Sequence, residues 1–598
     1  MIRRTAIRAR ELVRPHSGPL LVALALSALY FILDLRGGDL AAHLYRAELV
    51  KNDGFFVWNY NWYGGHYVVS YGVIFPALSA TIGVRLAGAF AYLLGVLLFS
   101  VLAREVFSEK GARASSYVFS VVFSATLVIG QLPYALSIAI GLAALLAAAH
   151  NRPWIAAFLA LNSALTSPLA ALFISFVAGV VWFGGHPLAL LRQIRDEGRR
   201  TSSSWLRSTF DAVWATPQHA YLVVAVCTLL PAMLVSFLFP EGGSQPFHVA
   251  SYLVAVAMTA VFWYFVRDEV DAETRSTIGF GVILYLVFLT GNELIASPIG
   301  GNAVRLGMLL APVLAAALLW PRAGRYALTV IAILLAWQTS TAVWSIVTSD
   351  RTKDSHYFAP VNRFLDRQNP TRDEKVEIVF TRNHFEAAYV ASRRPIARGW
   401  ERQLDTKYNA LFYDGSLSPS TYARWLIDND VRWVALSEAV ADYSAKGEAE
   451  LIKSDLPYLE RAATFRDWQI YRVNLPGSEG AEPRFRSSDP DQGFTISPDH
   501  WGITGTRIRW QRFLRPSYGC IRSSKDEFLE LLLPPLGSAD AQRDGVGVSS
   551  SPPVVTITSD FSLDRFVGGG AICADGWTTN ENGTPVRQPE DAPEGTDS

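Results

Sequence analysis

Apolar residues fill long runs in the first 345 residues, and short polar loops separate these runs. Several runs are shorter than the roughly 20 residues that a helix needs to cross a bilayer, so one or two of them could be re-entrant. The pattern predicts about eleven transmembrane helices, near 18–33, 85–103, 115–131, 134–149, 153–165, 168–184, 219–239, 249–266, 277–296, 303–320 and 326–345.

The pattern changes after residue 346, where the apolar runs shorten to strand length. VEIVF (376–380), RWVALS (432–437) and WQIYRV (468–473) alternate with helical stretches such as PSTYARWLIDND. Strands that alternate with helices are typical of a small α/β domain. After a linker rich in Gly, Ser, Pro and Asp, the segments GFTISPDH, TRIRWQRFL, FLELLLPP and VVTITSDF indicate a second, β-rich region.

These patterns predict a polytopic α-helical membrane protein with a C-terminal extracytoplasmic α/β plus β-rich domain. Its tail is rich in Pro, Glu, Asp and Gly, and this composition predicts disorder. The predicted parts are a membrane domain (1–345), an α/β domain (346–475), a β-rich region (476–585) and a disordered tail (586–598).

Composition supports a membrane protein and excludes one class of partner. Half of the residues are hydrophobic, 18% are charged and the mean hydropathy is +0.21, which is more apolar than is usual for a soluble protein of this length. Lys and Arg number 53, as do Asp and Glu, so the bulk charge gives no indication of a nucleic-acid partner.

The distribution of Lys and Arg predicts the orientation in the plasma membrane. Five arginines precede the first run, and alternate loops such as REVFSEKGAR and RQIRDEGRR are basic. Because basic short loops stay in the cytoplasm, we predict a cytoplasmic N-terminus and an extracytoplasmic C-terminal domain. A loop at about 34–84 then lies outside as well. Residues 1–35 could instead be a signal peptide, but no small-residue cleavage pattern follows, which favours a retained helix.

The three cysteines have different contexts. Cys227 falls inside a predicted span and is expected to be a small core residue. Cys520 and Cys573 both fall in the outer β-rich region, where an oxidising compartment permits either a disulfide or two free thiols. No Cys/His cluster has the spacing of a structural zinc site.

The stretch GGDLAAHLYRAE (37–48) follows the first apolar run and places three functional groups at helical spacing. Asp39, His43 and Arg46 are separated by four and three residues, so they share one face of a helix at the membrane surface. The face could line a cavity. It could equally belong to an ordinary juxtamembrane helix whose charges face water and lipid headgroups.

Residues 53–76, DGFFVWNYNWYGGHYVVSYGVIFP, form an aromatic-rich loop that we expect to be exposed to solvent. An aromatic belt at the bilayer interface would account for part of this composition. Carbohydrate and isoprenoid ligands also favour flat apolar side chains flanked by hydrogen-bonding groups. The candidates for sugar or acceptor binding are Trp58, Tyr60, Trp62, His66 and Tyr67.

Two further sets of polar residues are candidates for ligand binding. Arg305 lies near the outer end of a predicted span, where it could bind an anion or simply extend towards the headgroups. The outer domain contains a polar and aromatic concentration that would suit an acceptor-glycan cleft or a lid, or a solvated face with salt bridges in the core. Its members are Asn383, His384, Glu386, Arg398, Trp400, Glu401 and Arg402.

Two motifs resemble a known superfamily. The pattern D-x-x-x-H-x-x-R after the first span, the W-N-x-x-W-x-G-G loop and the outer C-terminal domain resemble the GT-C superfamily of integral membrane glycosyltransferases. These enzymes take sugars from polyprenyl-phosphate carriers. TRNHFEAAYVA and ARGWERQLDTKYNALFYDG (397–415) also resemble large actinobacterial multi-pass membrane proteins that share this front end.

The resemblance implies roles for particular residues. Asp39 would be the catalytic base, and Arg46, Arg305 and His43 would bind the donor phosphate. The aromatic loop, together with His384, Trp400, Glu401 and Arg402, would contact sugar or acceptor. Some members use a divalent cation (Mg or Mn) through paired acids, but this loop has no D-x-D, so the need for a metal stays open.

The resemblance implies an inverting glycosyltransferase that uses a polyprenyl-phosphate-linked sugar and a glycan or lipid acceptor. The alternative is a transporter or flippase-like carrier of envelope lipid or glycan with an outer accessory domain. Such carriers have broken, polar spans near the bilayer midplane. The spans here are mostly Ala, Leu and Val, with polar residues at the outer face, which favours the enzyme over the carrier and over a non-catalytic scaffold.

Overall fold

The computed structural model describes four long ranges and several short ones. The long ranges are 16–55, 57–184, 218–369 and 374–475. The basic N-terminal residues and the loop 185–217, which contributed to the predicted orientation, lie outside the described residues, as does the tail from 588. In the C-terminal region the described residues are 484–489, 493–498, 500–533, 552–559, 573, 577–579 and 585–587.

The chain forms two compact units. The first comprises Met1–Ala47 and Ser70–Ser349, and the second comprises Glu48–Val69 and Asp350–Ser598. We refer to them as the membrane unit and the C-terminal unit. The segment that the sequence predicts as one outer loop, 34–84, is therefore divided between the two units. The domain boundaries at 345, 475 and 585 stay predictions.

Each of the eleven predicted apolar runs coincides with a helix of the membrane unit. Eight helical segments within the described residues are long and apolar enough to cross a membrane, and two of them, Gly300–Arg322 and Tyr326–Val347, are joined through a kink at Gly324. Ser17–Ile32, Pro153–Thr166 and Pro168–Gly184 are shorter apolar helices. The helices are α1 Ser17–Ile32, α2 Asp39–Asp53, α3 Ile74–Ile82, α4 Val84–Val106, α5 Glu109–Ile129, α6 Leu132–Ala149, α7 Pro153–Thr166, α8 Pro168–Gly184, α9 His219–Leu238, α10 Val249–Val266, α11 Ala272–Leu294 and α12 Val304–Val347.

Small residues allow the apolar helices to pack closely. Ser137 of α6 donates a hydrogen bond to the carbonyl oxygen of Ser163 in α7 (2.8 Å), and Ser163 returns one to Ser137 (3.0 Å). Such pairs satisfy hydroxyl groups where water is scarce. Helix α12 contains the last two predicted spans, and its backbone is non-helical at Gly324 (φ 50°), so a kink separates the two spans.

The C-terminal unit begins with a four-stranded sheet. Its strand order is β3-β4-β6-β5, with β3 parallel to β4 and the other pairs antiparallel. Helices cover it around a core that contains Trp425, Leu436 and Tyr471. The strands are β3 Lys375–Ile378, β4 Val431–Ser437, β5 Leu459–Thr464 and β6 Trp468–Val473; the helices are α13 Ser355–Gln368, α14 Glu386–Tyr389, α15 Arg402–Tyr408, α16 Pro419–Asp428 and α17 Lys446–Lys453.

The remainder of the unit is β-rich, as the sequence predicts. One sheet has the order β10-β13-β8-β7 and another has the order β11-β12-β9. A disulfide joins Cys520 of β11 to Cys573 (S–S 2.06 Å), while Cys227 in α9 is a free thiol. The strands are β7 Arg484–Asp489, β8 Gly493–Ser497, β9 Gly502–Arg509, β10 Leu514–Pro516, β11 Cys520–Ser523, β12 Phe528–Leu533, β13 Val555–Ser559, β14 Trp577–Thr579 and β15 Pro585–Arg587.

The segment 57–69 belongs to the C-terminal unit, although it lies far from that unit in sequence. Its two short strands, β1 Trp58–Asn59 and β2 His66–Tyr67, form an antiparallel hairpin. The backbone N–H of Ile396 donates to the carbonyl oxygen of Asn61 (2.9 Å), and Ile396 also bridges to Val376 of β3. The segment is therefore attached to the edge of the α/β sheet by backbone pairing.

Candidate active site

Asp39 begins α2 in the membrane unit, where two glycines allow a close approach of the chain. Gly130 ends α5 in the left-handed conformation (φ 94°), and a Cβ atom there would lie 2.4 Å from the backbone nitrogen of Leu40. A Cβ atom on Gly37 would lie 2.2 Å from the carbonyl oxygen of Ile129. An acid at the N-terminus of a helix is also stabilised by the helix dipole. The location of Asp39 is thus set by its neighbours in both sequence and space.

Arg305 lies in the first turn of α12, at the end of an apolar helix. The loop before this turn is joined to the loop after α9, because the N–H of Gln245 donates a hydrogen bond to the carbonyl oxygen of Ser297 (2.9 Å). The hydroxyl of Tyr285 lies 3.3 Å from the carbonyl oxygens of Ala303 and Val304 and accepts from the N–H of Gly307 (3.2 Å). Arg305 lies at the N-terminal end of α12, where the helix dipole does not stabilise a cation. The position therefore suits an arginine that binds an anion.

Asp39 and Arg305 meet within the membrane unit. The distance from Asp39 Oδ2 to Arg305 Nη2 is 3.9 Å, and the two side chains are 25% and 28% exposed. At this separation the pair is ionic without a close hydrogen bond. A carboxylate and a guanidinium are therefore held side by side, and each keeps accessible surface for a ligand.

His43 and Arg46 differ from the prediction, because both are buried. The imidazole of His43 lies edge-on to the ring of Phe75 at a centroid distance of 5.8 Å. Burial, aided by the charge of Arg46, lowers the pKa of His43 to about 3, so the imidazole is neutral at pH 7. The Arg46 guanidinium lies 4.1 Å over the ring of Tyr71. Of the three residues on the predicted face, only Asp39 keeps exposed surface.

The prediction of an exposed aromatic loop is wrong for its five candidate residues. Their exposed fractions range from 0% for Trp62 to 7% for Tyr67. The indole N–H of Trp62 donates to the carbonyl oxygen of Ala387 (3.1 Å), and the Trp62 ring stacks on His66 at 4.9 Å. Hydrophobic burial explains the difference, since these side chains attach the segment to the C-terminal unit. Trp58 and Tyr60 lie against Phe494, and Tyr67 lies against Phe513.

The predicted acceptor residues of the outer domain occupy different environments. Arg402 donates to Asp442 (2.9 Å), and its Nη2 lies 3.2 Å from His384 Nε2. Glu401 is fully buried, and its carbonyl oxygen accepts from Tyr63 (2.8 Å). Trp400 and Arg402 are partly exposed, whereas His384 and Glu401 are buried. The contacts of His384 and Arg402 favour the interpretation as core ion pairs.

Arg398 is the centre of a buried charge network that includes acids missed in the sequence. Its guanidinium pairs with both carboxylate oxygens of Asp405 (2.9 and 2.6 Å) and donates to Glu448 (3.2 Å). Its Cζ atom lies 4.0 Å from the centroid of the Phe380 ring and 3.9 Å from that of the Phe412 ring. Asp405 is seven residues along the chain from Arg398, but Glu448 is fifty residues away, so no local sequence pattern could have grouped all three.

Glu377 adds a third carboxyl to this network. Its Oε1 lies 3.9 Å from Arg398 Nη1, and neither carboxyl oxygen has a hydrogen-bond partner among the described residues. Burial and then the charge of Glu448 raise the pKa of Glu377 well above its usual value. One arginine cannot neutralise three ionised acids, so Glu377 is held in its protonated form.

We therefore expect Glu377→Gln to stabilise the protein increasingly as the pH rises above about 4.5. The wild-type acid is protonated when folded and ionised when unfolded over that range, so this group makes wild-type stability fall with rising pH, and the glutamine variant lacks that contribution. Melting temperatures of both proteins in detergent at pH 4.5 and pH 8 test this. A variant that melts lower than wild type at pH 8 would show that Glu377 is ionised and pairs with Arg398.

The described residues do not provide a metal site. No group of three or more His, Cys, Asp or Glu side chains in the described part of the chain is arranged to hold a metal ion. Asp39 faces an arginine, and a guanidinium in that position competes with a cation for the carboxylate. The donor set of the described residues therefore does not fit the Mg or Mn ion that the resemblance left open.

Comparisons with known proteins give structural neighbours only. No protein-family model and no curated protein sequence matches the chain. The archaeal oligosaccharyltransferase AglB from Archaeoglobus fulgidus, in complex with an inhibitory peptide and a dolichol-phosphate, is 12% identical with a TM-score of 0.40. The match covers 71% of this chain and 69% of that one.

Two further solved structures are similar. The arabinofuranosyltransferase AftD from Mycobacteria is 14% identical with a TM-score of 0.42, and the match covers 80% of this chain but only 42% of that one. ArnT from Cupriavidus metallidurans, bound to undecaprenyl phosphate, is 13% identical with a TM-score of 0.38, over 78% of this chain and 100% of that one. With TM-scores below 0.5, these likenesses carry no information about the reaction of this chain. The three neighbours are GT-C glycosyltransferases, the type that the sequence motifs of this chain resemble.

Proposed function

We propose that the chain is an inverting glycosyltransferase that transfers a sugar from a polyprenyl-phosphate carrier to an envelope glycan or lipid-linked acceptor on the outer face of the membrane. The proposal rests on the 3.9 Å approach of Asp39 Oδ2 to Arg305 Nη2. Such a transfer needs a base for the acceptor hydroxyl and a cation for the leaving phosphate, and these two side chains supply them.

In the proposed step, Asp39 takes the proton of the acceptor hydroxyl while the hydroxyl oxygen forms a bond to the anomeric carbon. The bond between that carbon and the phosphate oxygen breaks on the opposite face. The carrier phosphate leaves with the electron pair, and Arg305 stabilises the charge that develops on it. Attack opposite to the leaving group inverts the configuration at the anomeric carbon.

The placement of the two residues suits a lipid-linked donor. Asp39 follows the apolar helix α1 after a short turn, and Arg305 lies near the start of the candidate span Gly300–Arg322. A carrier phosphate at the end of these helices could reach Arg305 while its prenyl chain stays in the hydrocarbon. Of the three residues that the resemblance implies for phosphate binding, this proposal uses Arg305, because the Arg46 guanidinium and the His43 imidazole pack against the rings of Tyr71 and Phe75.

The test is a gene deletion in the native host, restored with wild type or with Arg305→Gln at matched protein levels. We expect wild type to restore an envelope glycan linkage that the deletion removes, and Arg305→Gln to fail, because the leaving phosphate loses its cation. The measurement is linkage analysis of the envelope glycans. Arg36→Gln is the matched control, because Arg36 is similarly exposed (29%) but pairs with Asp34 (3.0 Å).

Each outcome has a consequence for the proposal. Restoration by wild type and Arg36→Gln, but not by Arg305→Gln, supports it. Equal restoration by all three proteins contradicts the role of Arg305. A deletion that leaves every linkage intact but changes the amount of lipid or glycan reaching the outer face would replace the enzyme by the carrier alternative.

A further inference from the structure

Tyr134 carries a buried hydroxyl that the proposed reaction has not used. It lies in the first turn of α6, and its side chain is 6% exposed. The hydroxyl has no hydrogen-bond partner among the described residues. Burying an unsatisfied hydroxyl is unfavourable, and a phenylalanine would fill the same space without that cost. The hydroxyl is therefore a feature that the fold by itself does not explain.

The surroundings of Tyr134 place it near the proposed donor site. Its ring is held edge-on against Phe173 at a centroid distance of 6.1 Å, so the hydroxyl has a fixed direction. Arg305 Nη2 lies 3.9 Å from Asp39 Oδ2, at the start of α2. Gly130, four residues before Tyr134 in the chain, adjoins the backbone of Asp39 and Leu40. Tyr134 thus lies at the same end of the membrane unit as the proposed base and cation.

We infer that the Tyr134 hydroxyl donates a hydrogen bond to the carrier phosphate that Arg305 binds. The inference rests on the proposed function and deepens it, because it assigns a second phosphate ligand from a different helix. A hydroxyl without a protein partner gives up no existing bond when the ligand arrives. A hydrogen bond to a charged phosphate is also stronger than one between neutral groups.

The test compares wild type and Tyr134→Phe for binding of undecaprenyl phosphate by the full chain in detergent. We expect the dissociation constant of the variant to rise about 10-fold. Its melting temperature without ligand should be unchanged or higher, because the unsatisfied hydroxyl is gone. This combination of weaker binding and undiminished stability is one that a merely structural tyrosine would not give.

Tyr92→Phe is the matched control. Tyr92 is another buried tyrosine of the membrane unit, but its hydroxyl donates to the carbonyl oxygen of Ser120 (2.5 Å). Removing that satisfied bond should lower the melting temperature and leave the dissociation constant unchanged. The control therefore shows how loss of a structural hydroxyl differs from loss of a ligand contact.

The remaining outcomes separate this inference from the proposed function. If wild type binds undecaprenyl phosphate and Tyr134→Phe binds it equally well, the inference is overturned while the donor site stands. If wild type does not bind it, the proposed function fails and the inference fails with it. Inorganic phosphate, added as a competitor, tests the headgroup contact alone: competition should be weaker in Tyr134→Phe, and equal competition in both proteins counts against the inference.

Discussion

Asp39→Asn is expected to reduce sugar transfer by about 100-fold or more, because general-base catalysis contributes roughly 10²–10⁴-fold. The amide keeps the size of the side chain but cannot accept the proton of the acceptor hydroxyl. Donor binding should remain, because Arg305 is untouched and its carboxylate neighbour is replaced by a neutral group. The measurement is the amount of glycan linkage restored in the deletion host, together with the affinity of the purified variant for undecaprenyl phosphate.

Asp34→Asn is the control for this experiment. Asp34 belongs to the same polar segment, and its side chain is 44% exposed, but it pairs with Arg36 (3.0 Å) and Arg85 (2.7 Å). We expect it to restore the linkage fully. Full restoration by Asp39→Asn would remove Asp39 from the chemistry. Loss of both linkage and donor affinity in Asp39→Asn would indicate a binding role for the carboxylate and contradict its role as the base.

Arg398→Leu is expected to destabilise the C-terminal unit by about 3–5 kcal/mol, because it leaves buried acids without their cation. Burial raises the pKa of Asp405, but the adjacent Arg398 overcomes this effect, so its pKa lies below the usual range and the carboxyl is ionised at pH 7. Leucine packs between Phe380 and Phe412 but cannot neutralise that charge. The melting temperature of the full chain in detergent should fall by roughly 10 °C.

Arg351→Leu is the control that separates the effect of burial on stability from the effect of ion pairing alone. Arg351 pairs with Asp467 at 2.8 Å in the same unit, but its side chain is 66% exposed. Exposed pairs contribute about 0–1 kcal/mol, so this variant should melt within a few degrees of wild type. An Arg398→Leu protein that melts as high as the Arg351→Leu protein would mean that the buried acids are neutral and that the network is not ionic.

The sequence predicted the parts of the fold that depend on local pattern. Apolar runs gave the positions of the membrane helices, because a bilayer crossing requires a continuous apolar segment. Short apolar runs such as RWVALS and WQIYRV correspond to β4 and β6, since strands of a covered sheet are apolar over a few residues. The disulfide between Cys520 and Cys573 was one of two possibilities in the sequence and is formed in the structure.

The candidate site was only partly predictable. Asp39 and Arg305 were each named from local context, but their 3.9 Å approach depends on how α2 and α12 pack. Tyr134 follows the turn that separates two predicted spans, and a polar side chain at the start of a span was the only available signal. Helical spacing placed Asp39, His43 and Arg46 on one face of a helix. Spacing does not predict which of these side chains becomes buried by a neighbouring segment.

The sequence by itself determined the membrane helices, the change to α/β and β structure after residue 346, and the identity of the candidate base and cation. The tertiary structure decided which side chains are exposed. It buries Trp62 and its aromatic neighbours in the C-terminal unit, and it turns Arg398 into the centre of a core charge network. The physical reason is that periodicity reports the faces of one element, whereas burial depends on the surface of another element that packs against it.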